Sequence, residues 1–181
     1  MKTSFIYIIL IALLIGCSNE PKAVISGSLP NKQYDGEWIY LVPFKGATAQ
    51  TVDSAQIKNA SFRFNIPDEK IGQFFILRVQ PLLRLRLQDI IVIPETGLVQ
   101  VKMDSCSNAS GTPLNTALQE WKDKKEAFGA ALDSLKIHCT EKEQYEAKYK
   151  ELYNEYYSSV NKIINDNKQN LVGDFLNTLY K

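Results

Sequence analysis

The chain has 181 residues, 45% of them hydrophobic, and a formal net charge of +1. Removing residues 1–16 takes away Lys2, one of 21 basic side chains, and leaves 20 against 20 acidic ones. That balance excludes the electrostatic footprint of a nucleic-acid binder, and the remaining ~165 residues suit one domain with a self-sufficient core.

The first residues have the layout of a secretory signal. Lys2 supplies a positive start, and Phe5 to Ile15 is apolar apart from Tyr7. A membrane-spanning helix needs roughly twenty apolar residues, and this run stops short of that. Ser18, Asn19, Glu20 and Pro21 follow at once. The reading is a cleaved signal over 1–16 and a tether over 17–22. Gly16 stands directly before Cys17 and after two branched aliphatics, Leu14 and Ile15. Leu14-Ile15-Gly16-Cys17 resembles the lipobox of bacterial lipoproteins. The resemblance implies that Cys17 becomes the mature N-terminus and carries two or three acyl chains into a lipid bilayer. Each buried methylene contributes ~0.8 kcal/mol, and stable anchoring takes two chains or more.

From Ala23 to Met103 the pattern is strand, turn, strand. Ala23 to Leu29 is closed by Pro30, and Trp38 to Val42 ends at Pro43. Gln50 to Ile57 alternates weakly, whereas Phe62, Phe64 and Ile66 mark one clean face. Between those two runs lies Lys58-Asn59-Ala60. A two-residue hairpin turn needs positive φ, which Asn tolerates and Ala resists, so the turn is expected to be strained at Ala60 or looser. Phe74 to Val79 continues the pattern until Pro81. Leu83 to Leu87 then alternates strictly, which predicts a strand with its leucines inward and Arg84 and Arg86 outward. Ile90 to Ile93 is apolar on both faces and predicts a central strand. Pro94-Glu95-Thr96-Gly97 is a turn by its chemistry, and Leu98 to Met103 completes a sheet region over 23–104. Seven or eight short strands read as an antiparallel β-sandwich or partly open barrel.

The period then changes. Asp104 to Gly111 is polar and loop-like. Thr112-Pro113 reads as an N-cap with proline at the first helical position. Leu114, Leu118, Trp121, Phe128, Leu132 and Leu135 trace one face of a helix. Thr140 to Glu143 reads as a capping box. A second helix follows, with Tyr145, Tyr149, Leu152, Tyr153, Tyr156 and Val160 on its stripe. Residues 112–181 thus form a helical segment packed on the same α+β domain, a helical hairpin with a last apolar stretch, Leu171 to Leu176.

Several pieces, in order, resemble the DUF4369 family of domains of unknown function. They are Ile25-x-Gly27, Ile39-Tyr40-Leu41, Val52-Asp53-Ser54-Ala55 and Asn59 with Phe62-x-Phe64. Pro94-Glu95-Thr96-Gly97 and Ser110-Gly111-Thr112-Pro113-Leu114-Asn115 follow. Asn170-Leu171-Val172-Gly173 is similar too. The resemblance implies a position at the front of lipid-anchored, thioredoxin-like proteins of Gram-negative bacteria. In that architecture a thioredoxin-fold domain with C-x-x-C follows, and here the chain ends where it would begin. No catalytic residue is carried over.

Candidate sites are few. His138 is the only histidine, so multi-histidine metal sites are excluded, and it reads as a surface residue of a helix–helix connection. Cys106 and Cys139 flank the first helix, about 33 Å long at 1.5 Å per residue. A disulfide needs Cα atoms within about 7 Å, which argues against pairing. Asp53 and Ser54 point to opposite faces of a strand and read as structural. Arg84 and Arg86, with Arg78, are either a cationic strip for an anionic ligand or a solvated strand face. The tyrosines of the second helix serve either packing or an interface, and Tyr157, off the main stripe, is the better interface candidate. Catalytic residues, metal ligands and cofactors are not expected. The expectation is a non-catalytic lipoprotein of the cell envelope, tethered to the inner or outer membrane and facing the periplasm or cell surface. It would bind an envelope protein or a small ligand. The competing expectation is an accessory part of a thiol–disulfide oxidoreductase, and a third is a structural envelope component.

Overall fold

The structure, a computed structural model, describes residues 22–181. The signal segment, Cys17 and most of the tether lie outside the described residues. Eight strands form two four-stranded sheets, and three helices follow. The strands are β1 (Ala23–Ser28), β2 (Trp38–Pro43), β3 (Asp53–Gln56), β4 (Ser61–Ile66), β5 (Phe75–Val79), β6 (Ile90–Val92), β7 (Gly97–Lys102) and β8 (Asn108–Ser110). The helices are α1 (Pro113–His138), α2 (Lys142–Asp166) and α3 (Leu171–Leu179). One sheet runs β4-β1-β7-β8 and the other β3-β2-β5-β6. All pairings are antiparallel except β1 with β7. The expected α+β sandwich is present, with one parallel pair at its centre.

Between the sheets lies a core built on Ile25, Ile39, Leu41, Phe75, Leu77, Val92 and Val99. Alternation places these residues inward, as in β4, where Phe62, Phe64 and Ile66 are buried while Ser61, Arg63 and Asn65 are exposed. Gly27 sits opposite Phe62 in the β1–β4 register. A Cβ at Gly27 would fall 2.0 Å from the Phe62 ring, so the glycine makes room for the aromatic. The β3–β4 turn is tight, with Asn59 and Ala60 both at positive φ, 52° and 53°. The Asp35 carboxylate accepts both turn amides, from Asn59 at 3.0 Å and Ala60 at 2.7 Å. That support holds an alanine in a conformation it resists.

A second core joins α1, α2 and α3 to the outer side of the β5–β6 sheet through Ile93, Leu118, Trp121, Val160, Ile163, Val172 and Leu176. It explains why Ile90 to Ile93 is apolar on both faces. Ile90 and Val92 enter the sandwich core, whereas Ile91 and Ile93 pack with the helices. β6 is therefore an edge strand, and helix cover rather than a central position makes it two-faced.

Other expectations are corrected. Pro81–Leu85 is a 3-10 turn rather than a strand, because Pro81 removes an amide and fixes φ for a turn. Leu87 is buried, but Leu82 and Leu85 are 84% and 90% exposed, so the leucine alternation does not define a core face. Asn108–Ser110, expected as loop, pairs with β7. Thr140–Glu143 is no capping box: α2 starts after Glu141, which makes no side-chain cap bond. The hairpin becomes three helices. Asn170 caps α3 by accepting from Val172 and Gly173 at 2.9 and 3.2 Å.

Candidate functional site

The two sheets meet at a seam where their edge strands β6 and β8 come together, and α1 lies along it. Edge strands carry unpaired backbone groups that must be covered or hydrated. Helix α1 covers them with side-chain amides. Asn115, 1% exposed, accepts from the Ile93 amide at 2.9 Å and donates to the Ile93 carbonyl at 2.6 Å. One side chain thus reproduces the pairing of a neighbouring strand. Four residues on, Gln119 accepts from the Ala109 amide of β8 at 2.9 Å. The spacing of four puts both amides on one helix face.

The start of α1 is fixed by a distant residue. Thr112 is the N-cap residue, but its side chain makes no cap bond to the helix. It accepts from Asn115 instead, at 2.8 Å. Glu95, from the turn before β7, accepts from the amides of Leu114 and Asn115 at 3.0 and 3.3 Å. A carboxylate there meets both unpaired donors and the positive end of the helix dipole.

The far end of the seam is closed by Gln88, which donates to Glu126 at 3.0 Å and accepts from the Ser107 amide at 3.1 Å. From Asn115 to Glu126 the helix rises about 16 Å. From Ile93 back to Gln88 the extended chain covers about the same distance. Helix and strand therefore run side by side in opposite directions, clasped at both ends. Between the clasps is an open cavity of about 330 Å³. Ile90, Ile91, Leu118 and Trp121 form its apolar wall, and Asp89, Lys122, Lys125 and Glu126 its polar lining.

The charges at this cleft are uneven. Lys122 pairs with Glu126 at 2.6 Å. Lys125 lies 5.3 Å from the centre of the Trp121 ring, a cation–π arrangement. Arg78 and Arg84 approach the same Asp89 oxygen at 3.3 and 3.4 Å. Among the described residues neither the Arg78 Nε nor the other Asp89 oxygen, both buried, has a hydrogen-bond partner. Burial alone would raise the Glu126 carboxyl. Hydrogen bonds from Cys106, Lys122 and Gln88 outweigh it and hold the group at about 2. In turn the Glu126 hydrogen bond and burial push the Cys106 thiol up, against the opposing pull of Lys122. The Cys106 thiol donates to Glu126 at 2.9 Å. A thiol held protonated is a poor nucleophile.

Arg84 lies on the rim of this cleft through Asp89, and Arg86 is exposed on the chain leading to Gln88. Tyr157 is elsewhere, on α2. It completes a row with Tyr145, Tyr149 and Tyr153, whose ring centres follow at 6.3, 6.2 and 5.8 Å. Tyr157 is half-buried and donates to the Tyr180 carbonyl at 3.1 Å, so it fastens the end of α3 rather than standing free. Tyr149 and Tyr153 are the exposed members of the row. Tyr156 stacks on Phe128 at 4.5 Å and bonds the Tyr180 hydroxyl. Burial, then that bond, pushes its own hydroxyl up. Asp53 pairs with Lys70 at 2.5 Å, a structural tie. His138 is the last residue of α1, exposed, with its Nδ1 2.8 Å from the Ser134 carbonyl. Cys106 and Cys139 are free thiols. Among the described residues no three His, Cys, Asp or Glu side chains gather as a metal site would, and no helix is long and apolar enough to cross a membrane.

Asn115, Gln119, Asp89, Lys125 and Glu126 were not singled out by sequence reasoning. One signal was present: Asn115 flanks the apolar face of Leu114, Leu118 and Trp121, and a polar residue at the border of such a face asks for a partner.

No curated protein and no solved structure matches this chain. The sequence model of the family described as Domain of unknown function (DUF4369) matches residues 23–118, which takes in the whole sandwich and the first turns of α1 that carry Asn115. The chain belongs to the DUF4369 family.

Proposed function

We propose that this protein is a non-catalytic binding module, held to a membrane of the bacterial cell envelope through a lipidated Cys17. The observation that carries the binding role is the clasped cleft between α1 and β6. It combines an apolar wall with Lys125, a cation that among the described residues has no carboxylate within ion-pair distance, and with the paired Lys122 and Glu126. Such convergence of a few polar groups on an apolar hollow is what ligand sites share. The protonated Cys106 thiol beside Glu126 weighs against thiol exchange through that residue. Anchoring is supported by Leu14-Ile15-Gly16-Cys17 at the end of the apolar run.

The test is metabolic labelling with a radioactive fatty acid in a Gram-negative host, followed by membrane fractionation. The intact chain is expected to take up label and sediment with membranes. Cys17→Ser is expected to lose both. Label retained by Cys17→Ser would overturn the anchoring.

A further inference from the structure

The Ile93 backbone groups point toward α1, since Asn115 meets both. In a strand, backbone groups two residues apart point the same way. The Ile91 amide and carbonyl therefore also face α1, away from β5, across from Ile76 in the register. Among the described residues neither has a hydrogen-bond partner outside the sheet. Ile91 lines the cavity and is only partly buried, so this free edge borders it. The cleft thus holds one unpaired strand position, bounded at one end by Asn115 and at the other by Gln88 and Glu126.

We infer that this position takes a short, extended, acidic peptide segment, which pairs its backbone with Ile91 and places an apolar side chain against Leu118 and Trp121. Pairing with a free edge supplies affinity through main-chain hydrogen bonds, and the pocket supplies selectivity. The span between the clasps is about 16 Å, room for some five extended residues. Charge sets the sign of the partner. The cavity lining carries Lys122 and Lys125 against Asp89 and Glu126; Glu126 is met by Lys122 and Asp89 by both Arg78 and Arg84, which leaves Lys125 over. Lys125, resting on Trp121, and Arg86 have no carboxylate within ion-pair distance among the described residues.

This inference rests on the binding role proposed above and names its ligand class. The probe is a fluorescein-labelled peptide, Gly-Glu-Thr-Leu-Thr-Glu, with Gly-Lys-Thr-Leu-Thr-Lys as its basic counterpart. Binding to the full chain in mild detergent is read by anisotropy. The acidic peptide is expected to bind at least tenfold more tightly than the basic one, about 1.4 kcal/mol. Methylation of the leucine amide nitrogen is expected to weaken it by about tenfold or more. Ile91→Pro removes the edge donor without breaking a β5 bond, and Lys125→Glu reverses the free charge. Each is expected to weaken the acidic peptide about tenfold. If Ile91→Pro does not fold, Lys125→Glu and the methylated peptide decide. No binding of the acidic peptide at about 1 mM, equal binding of both peptides, or indifference to methylation and to Lys125→Glu would each overturn the inference. With Cys17-dependent labelling intact, such a result removes the peptide site and leaves the anchored protein. Loss of labelling with peptide binding intact does the reverse.

Discussion

Replacing Asn115 by alanine tests whether one side-chain amide holds α1 onto the sandwich. The substitution strips the Ile93 amide of its acceptor and the Ile93 carbonyl of its donor. Ile93 is fully buried. A buried backbone group left without a partner costs about 1–3 kcal/mol. Two such groups give roughly 2–6 kcal/mol, and the neighbouring cavity lets water reach some of them. The expected loss is therefore about 3–4 kcal/mol, large for a polar-to-alanine change. Gln119→Ala, which frees only the Ala109 amide, is expected to lose about 1–2 kcal/mol. Urea unfolding followed by circular dichroism measures both. Hydrogen exchange at Ile93 is expected to accelerate in the Asn115 variant. A loss under about 1 kcal/mol, or one no greater than that of Gln119→Ala, would refute the reasoning.

Three further variants follow from named contacts. Ala60→Gly relieves a left-handed alanine, a gain of about 1–2 kcal/mol, offset by up to about 1 kcal/mol of unfolded-chain entropy. A net rise of roughly 0.5–1 kcal/mol in urea unfolding is expected, and a fall would show that the turn is unstrained. Gly173→Ala would place a Cβ 2.1 Å from the Asn167 carbonyl oxygen. Since backbone rather than a flexible side chain must move, a loss of about 1–3 kcal/mol is expected. Glu126 is held at about 2 against a usual 4.5. A carboxyl depressed on folding contributes stability that is present above its unfolded value and is lost as pH falls toward 2. Glu126→Gln is expected to flatten stability over that window, by on the order of 1–2 kcal/mol after solvent screening. The same variant removes the carboxylate charge that helps push the Cys106 thiol up, so alkylation of Cys106 near pH 8 is expected to speed up.

What the chain discloses before folding depends on how local its cause is. Phe62, Phe64 and Ile66 face one core through a period of two, and that face is legible residue by residue. Leu83, Leu85 and Leu87 show the same period and do not form a strand. There Pro81 decides, and Leu85 stands in solvent. Ile90 to Ile93 shows that apolar residues on both faces report cover on both sides, not a place in the middle of a sheet. β6 gains its second cover from helices that begin some twenty residues later. The turn at Asn59-Ala60 is legible as strained, but its support from Asp35 lies 24 residues away. In each case the pattern states what a residue needs, and a distant segment supplies it.

The cleft follows the same logic. Glu95 belongs to a turn and Asn115 to a helix, and the turn chemistry of Pro94 to Gly97 explains neither. Their common purpose appears only when the helix N-terminus is seated on Glu95 and the Asn115 amide on Ile93. The stretch Ser110 to Asn115, read as a family-like string, is the segment that carries the chain from β8 onto α1 across the seam. An asparagine that merely filled this space could be a leucine. An asparagine that replaces a strand neighbour cannot, because leucine has no group to offer Ile93. The same substitution leaves the next edge position, Ile91, uncovered, since one side chain spans only one residue of a strand. The fold thus closes its seam with point contacts at Asn115, Gln119 and Gln88, and an open interval between them follows from that choice. A continuous ninth strand would have satisfied Ile91 and abolished the cleft.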